Sequence, residues 1–595
     1  MNILVPVAAA AAVFLIANRF YPRWIARNFG EDDRNEPPSV RFADGRDYVK
    51  SRTHVVFAHH FAAIAGAGPI IGPTMALAFG WQPVWLWVVI GGIFFGAVHD
   101  MCAMFASFRE GGPTIGEIAR RTLGPLGYLL YLLVLLITIT AVNATFLNLS
   151  VTALTSVYPL AQLGLEPGQT LLNTHPQPET GVPLAHIGGI ATTSVIVLTV
   201  FAPLLGWLIH RRHFPTGPAY LLAGAVCLGS IVLGFVLPVR LSGDVWFWVL
   251  ATYCFFAATL PVWLILQPRD FANVQILYGG ILLLFASVLI RGLSGATMEA
   301  PTFDIAAGQA ALRGAIWPIL FITVACGAIS GFHSLVASGT TVKQLARESD
   351  VRRVAYGAML LESFLAVLVV VAVASALSRP EYMDLVFPAV EGVRSNPVLA
   401  FALGVGNLMN AALPFIPVAV AVVIGILMLE GFVVTTLDAS VRLARYLLEE
   451  FWRFIFLGNA PALLRSPWLN TLLVVSAMVG VAALSALPQI WPVFGAGNQI
   501  IGALALTTVT VWLVQRSRHH LFAALPAVFM IATTSCALWI QVKDNLLNPG
   551  NRLLGAMAAL LLFLAAGSVA VGVGRFATAA MGHSRRPLES AAGGK

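Results

Sequence analysis

The chain has 595 residues, of which 58% are hydrophobic and only 10% charged, and its mean hydropathy is +0.83. A soluble protein carries about 25% charged residues, so this composition excludes a soluble globular protein and points to a polytopic integral membrane protein held in a lipid bilayer. The formal net charge of +8 fits basic cytoplasmic loops and not a nucleic-acid surface.

Runs of about 18 or more apolar residues count as membrane spans. They fall near 2–20, 54–79, 82–107, 124–155, 185–209, 217–239, 245–266, 272–291, 313–339, 354–378, 398–428, 468–486, 494–514, 520–540 and 551–573. The expectation is therefore an all-α fold of about fifteen transmembrane helices. The first run has no basic segment before it and no clear cleavage site, which makes it a retained helix and not a signal peptide. The run at 398–428 is long enough for a tilted or bent helix. Residues 436–455 mix Val441, Leu443, Ala444, Leu447 and Leu448 with Arg442, Arg445, Glu449 and Glu450, the pattern of an amphipathic surface helix. The organisation reads as a first helix and basic loop over 1–53, a transporter-like core over 54–450, further helices over 451–574 and a cytoplasmic tail over 575–595. Cys102, Cys227, Cys254, Cys326 and Cys536 all lie in apolar runs; none has metal-ligand spacing, so they read as small buried hydrophobes.

Orientation follows from the placement of Lys and Arg. With the N-terminus outside, 28 of the 35 fall on the inner side, so the expected topology is N-out and C-in. The loop at 156–184 lacks Lys and Arg and lies outside. No segment reads G-x-x-x-x-G-K-[S/T], which argues against ATP-driven transport by this chain.

The second span contains Gly66, Gly68, Pro69, Gly72 and Pro73 within eight residues. Proline removes a backbone donor and disfavours helix in the residue before it. Interrupted backbone at membrane depth is tolerated only where it is buried in protein or lines a cavity, and such breaks form the substrate sites of many secondary transporters. A simple corner near the interface is the rival reading. The ninth span carries Gly327, Ser330, Gly331 and Ser334. Glycines four apart also suit close helix packing, but the added hydroxyls favour a second break. The topology sends these two spans in opposite directions, as an inverted repeat requires, with the breaks meeting near the midplane.

Ionisable groups at membrane depth are costly and usually functional. His59 and His60 lie in the second span, His99 and Asp100 in the third, His333 in the ninth and Glu362 in the tenth. Counted from flanking arginines and lysines at 1.5 Å per residue, all sit roughly 10–15 Å from the inner surface. Adjacent His59 and His60 point about 100° apart on a helix, so one of them faces the core. Three readings compete for this layer: a proton relay, helix-pinning hydrogen bonds, and a metal site. Asn143, Asn148, Asn407, Asn410, Asn498 and Gln499 fit a substrate contact or a helix bridge. Gln267-Pro268-Arg269-Asp270 reads as a tight cytoplasmic turn; Arg269 there suits either solvent or an anionic group, and at a loop the solvated reading is favoured.

Several stretches together resemble the carbon starvation protein (CstA) family of bacterial inner-membrane transporters: HHFAAIAGAGPIIGP at 59–73, GAVHDM at 96–101, LQPRDF at 266–271, FITVACGAISGFHSLVASGTTVKQL at 321–345, YGAMLLES at 356–363, TTLDASVRLARY at 435–446 and WPVFGAGNQ at 491–499. The resemblance implies uptake of short peptides or pyruvate under nutrient limitation, driven by an ion gradient, with protons expected as the coupling ion. It implies no cofactor, and kinship with amino-acid/polyamine/organocation transporters, whose core is an inverted repeat. A channel and an intramembrane metal-dependent enzyme are the alternatives.

Overall fold

A computed structural model describes residues 1–595 except 45–47, 164, 166–171, 173, 177–180, 213–214, 262–263, 390–393 and 585–595. Its helices of eight residues or more, in chain order, are α1 (Leu4–Phe29), α2 (Thr53–Ile64), α3 (Gly68–Phe79), α4 (Trp81–Arg109), α5 (Ile115–Leu154), α6 (Ile187–Arg211), α7 (Thr216–Val236), α8 (Gly243–Thr259) and α9 (Leu266–Leu293). They continue as α10 (Ile305–Leu312), α11 (Ile316–Thr323), α12 (Phe332–Gly339), α13 (Arg352–Ala376), α14 (Arg379–Val386), α15 (Pro397–Ala412), α16 (Val418–Ile455), α17 (Pro467–Ala483), α18 (Leu487–Gln515), α19 (Leu521–Leu547) and α20 (Arg552–Ser584). One feature departs from an all-helical chain. Three short antiparallel strands, Val157–Pro159, Thr174–Pro176 and Pro183–His186, form a small sheet in the loop after α5, with the third strand between the other two.

Among the described residues, eleven helices are long and apolar enough to cross a membrane, or up to thirteen when each bent pair is one span. The bent pairs are α2 with α3 and α10 with α11, the latter at 67°, so the expected span at 313–339 begins within a bent pair; the expected spans at 245–266 and 468–486 correspond to α8 and α17, each 17 residues long. The expected single span at 398–428 is instead two helices, α15 and α16, split at residues 413–417. A Cβ on Gly406 would lie 2.3 Å from Val422, and one on Gly425 would lie 2.9 Å from Ala402, so the pair packs as a close antiparallel hairpin. The amphipathic surface helix expected at 436–455 does not exist as a separate element. Those residues are the second half of α16, and Asp438, Ser440, Arg442 and Arg445 are buried in it. At 1.5 Å per residue this helix is about 57 Å long, nearly twice a hydrocarbon core. The helix at the other end, α20, also runs on past residue 574 to Ser584, and Arg575 Nε donates to the Leu123 carbonyl over 3.1 Å.

One end of the bundle is stitched by charged groups. Arg109 pairs with Glu348 and donates to the Gly30 carbonyl over 2.5 Å. Glu348 also accepts from the Asp32 N–H at 2.9 Å and Asn35 Nδ2 at 2.7 Å. Arg352 pairs with Glu31 at 2.7 Å, and Thr53 donates to Asp350 at 2.9 Å. Burial pushes the Glu31 carboxyl up, against the pull of Arg352. Arg516 reaches Glu110 at this end. At the opposite end Arg379 pairs with Asp304 at 2.6 Å and holds the Leu77 and Ala78 carbonyls, while Tyr382 donates to the Thr74 carbonyl at 2.7 Å. The Glu348 carboxylate is fully buried and Arg109 one-quarter exposed; removing one partner of a fully buried pair costs about 3–5 kcal/mol, an upper bound here. Glu348→Ala is therefore expected to lower the SDS-unfolding midpoint of the detergent-solubilised protein well below that of a change at the exposed Arg34.

Candidate functional site

Two interrupted helices cross at their breaks. The first break is residues 65–67, between α2 and α3, and turns the chain by 47°. Ala65 has φ −72° and ψ 70°, an inverse γ-turn, and the Gly66 N–H donates back to the Ile64 carbonyl at 2.7 Å. The interruption precedes most of the Gly/Pro cluster. Gly68 and Pro69 open α3, where a proline costs nothing because the first turn has no N–H partner. Gly72 and Pro73 are helical and buried within α3; the expectation that proline would displace them from helix does not hold. These glycines serve close approach. A Cβ on Gly68 would lie 2.3 Å from Cys326 Sγ, and one on Gly72 would lie 2.7 Å from the Thr323 carbonyl oxygen.

The second break is the irregular run at residues 324–331, between α11 and α12. Gly327 lies in this run, where a Cβ would come 3.6 Å from Pro69 Cα. Asn498 of α18 closes it: the Gly331 N–H donates to the Asn498 carbonyl at 3.1 Å, the Phe332 N–H donates to Asn498 Oδ1 at 3.1 Å, and Asn498 Nδ2 donates to Ser330 Oγ at 3.0 Å. Ser334 Oγ returns to the Gly331 carbonyl at 2.7 Å. The start of α2 and the end of α12 share the charged end of the bundle, where the Val49 and Ser51 N–H groups donate to the Lys343 and Gln344 carbonyls. The two broken spans are thus antiparallel.

The helices that follow the breaks carry the carboxylates. In α4 a π-helical turn, Gly92–Gly96, precedes Asp100; in α13 a second one, Arg352–Tyr356, precedes Glu362. Such turns concentrate at functional sites. Asp100, His333 and Glu362 come together. His333 Nδ1 lies 3.0 Å from Asp100 Oδ2, and its Nε2 lies 3.4 Å from Glu362 Oε2 without hydrogen-bond alignment. The other Asp100 oxygen is 2.8 Å from His99 Nδ1. Which ring nitrogen carries the proton depends on the tautomer. His60 is fully buried, bonds Thr341 Oγ1 at 2.9 Å through Nδ1, and lies within electrostatic reach of Asp100 and His333. His59 is exposed and apart from the cluster. One imidazole thus lies between carboxyl groups from two helices across a broken third, hydrogen-bonded to Asp100 and in ion-pair range of Glu362. Among the described residues no group of three or more His, Cys, Asp or Glu is placed to hold a metal ion.

Most of the other polar residues in the spans bridge helices. Asn143 accepts from Ser440, Asn148 donates to the Ala482 and Ser485 carbonyls, and Asn407 to that of Ala376. Asn410 and Gln499 donate to the Ile416 and Phe321 carbonyls. A second buried cluster was not legible in the sequence. Arg269, far from being solvated, is 1% exposed and pairs with Asp438 at 2.8 Å. Tyr253, Asp270, Thr435 and Glu430 surround the pair.

A family model described as carbon starvation protein CstA matches residues 2–392 and 386–537. The chain belongs to the carbon starvation protein CstA family. Among its relatives, a Bacillus subtilis protein named peptide transporter CstA is 30% identical over 95% of this chain and 95% of its own length. An Escherichia coli protein named pyruvate/proton symporter BtsT is 28% identical over 91% of this chain and 82% of its own. The Escherichia coli peptide transporter CstA is 30% identical over 91% and 81%. Among solved structures, a manganese transporter of Eremococcus coleocola overlays 90% of this chain at 10% identity with a TM-score of 0.42, too low to establish a shared fold. In this CstA-family chain both carboxylates and both breaks lie inside the matched residues.

Proposed function

We propose that this chain is a secondary active transporter that imports short peptides or pyruvate across the bacterial inner membrane with protons as the coupling ion. It serves carbon starvation, and it is not an enzyme. The observation that carries this reading is the Asp100–His333–Glu362 contact at the crossing of two broken helices. Intramembrane His and carboxylate chains are the material of proton relays, and crossed broken helices are the material of a substrate site. Names among the relatives support both halves: peptide transport in two of them, pyruvate/proton symport in the third. The two antiparallel broken spans support an inverted-repeat core of the amino-acid/polyamine/organocation type. The excess of Lys and Arg on one side supports an N-terminus outside and a C-terminus in the cytoplasm.

The test is uptake of radiolabelled pyruvate into proteoliposomes under an imposed pH gradient, with unlabelled di- and tripeptides as competitors. Accumulation that collapses with a protonophore is expected for one of the two substrate classes. Uptake insensitive to the protonophore would remove the proton from the mechanism.

A further inference from the structure

The buried cluster around Arg269 has no part in the proton network above. The guanidinium pairs with Asp438 Oδ2 at 2.8 Å, donates to the Tyr253 hydroxyl and donates to Thr435 Oγ1 at 3.1 Å. Tyr253 in turn donates to Asp438 Oδ2 at 2.7 Å. Asp438 pairs with this guanidinium directly, and the buried carboxyls of Asp270 and Glu430 lie within its electrostatic range. Cys254 lies in the same field, and Arg442 acts on Asp438 from one turn along α16. Arg442 is already engaged, donating to the Ala257 carbonyl at 2.5 Å and to that of Leu260. Several buried polar atoms of the cluster have no hydrogen-bond partner: Arg269 Nε, Asp438 Oδ1, Asp270 Oδ1 and both oxygens of Glu430. Each unsatisfied buried group costs free energy, and here a guanidinium edge and several carboxylate oxygens are left open to a further polar group.

The cluster lies one residue along α16 from the first break. Thr435, which accepts from Arg269, is the chain neighbour of Thr436, and a Cβ on Gly66 would lie 3.2 Å from Thr436 Oγ1. Residues 64–66 therefore lie between the two polar clusters, with His333 against the Ile64 backbone and α16 against Gly66.

We propose that Arg269 is the carboxylate-binding residue of the transport site, and that Asp438 occupies it in the empty state and leaves it by taking up a proton. This rests on the reading of the chain as a proton-coupled carrier of carboxylate-bearing substrates. The charge balance favours the exchange. An ionised Asp438 on Arg269 is replaced by an ionised substrate carboxylate on Arg269 plus a neutral Asp438, the proton entering with the substrate from the external solution. Net buried charge is unchanged, so no uncompensated ion enters the protein interior. The planar fork of arginine matches a carboxylate in two parallel hydrogen bonds, and pyruvate and the C-terminus of a peptide both present one.

The experiment is binding of pyruvate and of an unlabelled dipeptide to purified protein by calorimetry, alongside proteoliposome uptake, for wild type, Arg269→Gln, Arg269→Lys and Asp438→Asn. Asp438→Asn removes the competing charge but keeps a hydrogen-bond acceptor, so affinity is expected to rise about tenfold, the scale of one charge-assisted hydrogen bond. Arg269→Gln is expected to lose binding, and Arg269→Lys to weaken it. Opposite signs at the two partners are the signature; a merely structural pair would weaken binding from either side. Wild-type affinity or weaker in a monodisperse Asp438→Asn protein overturns the proposal, even where Arg269→Gln fails to fold. Wild-type protein that transports neither substrate class would overturn the underlying functional reading and this proposal with it. Wild-type transport with unshifted variants overturns this proposal alone.

Discussion

Asp100→Asn is expected to abolish uphill accumulation while leaving exchange of internal for external substrate largely intact. Asp100 bonds His99 through one oxygen and faces His333 through the other, so the amide keeps much of the packing but cannot take or release a proton. Glu362 meets the opposite nitrogen of the same imidazole, and Glu362→Gln is expected to share the phenotype. The measurement is paired: gradient-driven uptake and gradient-free counterflow in the same proteoliposomes. Loss of both by a well-folded Asp100→Asn protein assigns the residue to architecture. Retained uphill uptake removes it from coupling.

The second large effect lies at the crossing of the breaks. A Cβ at residue 68 would lie 2.3 Å from Cys326 Sγ and 2.4 Å from Cys326 Cβ, while the next atom, Cys326 Cα, is 3.8 Å away. Gly68→Ala forces the two broken spans apart, an overpacking worth about 1–3 kcal/mol, and Gly68→Leu is expected to eliminate uptake. Removing the opposing side chain should undo the clash. The double variant Gly68→Ala with Cys326→Gly is expected to recover much of the uptake that Gly68→Ala loses, whereas Cys326→Ala retains the offending Cβ and should not rescue. Failure of the glycine rescue in folded protein would mean that the breaks do not cross in the working transporter.

Local chemistry made some of this readable in advance. Glycine and proline at 66–73 announce an interruption because their backbone preferences act within a few residues. The titratable layer was readable because depth is counted along one helix from a flanking charge, and three of its members meet as that count implies. Even so, the first break falls at 65–67 because Pro69 and Pro73 are accommodated inside α3, and His59 stays outside the cluster. The Arg269 cluster is the larger omission. A Gln-Pro-Arg-Asp sequence at the end of an apolar run has the composition of a turn, and nothing local indicates that α9 begins there with its arginine turned inward. The charges of α16 misled in the same way. Arg442, Arg445 and Asp438 alternate with apolar residues as on a surface helix; Arg445 does pair within its helix, with Glu449 at 2.7 Å, but Asp438 meets Tyr253 and Arg269, and Arg442 the Ala257 and Leu260 carbonyls. Periodicity marks a polar face without saying what covers it.

Tight association of the two spans also explains why the site uses small residues. Gly331 meets the Asn498 carbonyl and the Gly502 amide of α18, where a Cβ would be 2.2 and 2.5 Å away. Asn498 thereby holds the irregular backbone that a lipid environment would not satisfy. The same glycine thus serves both packing and interruption, which is why the two readings of Gly327 and Gly331 could not be separated by spacing.

Proton movement itself is the most direct test. Proteoliposomes loaded with the pH dye pyranine, with no imposed gradient, are exposed to external pyruvate or dipeptide, and internal pH is followed for wild type and Asp100→Asn. Substrate-dependent acidification in wild type, absent in Asp100→Asn even though that variant still exchanges label in parallel vesicles preloaded with substrate, is the predicted result. Substrate entry in wild type with no change in internal pH would contradict it.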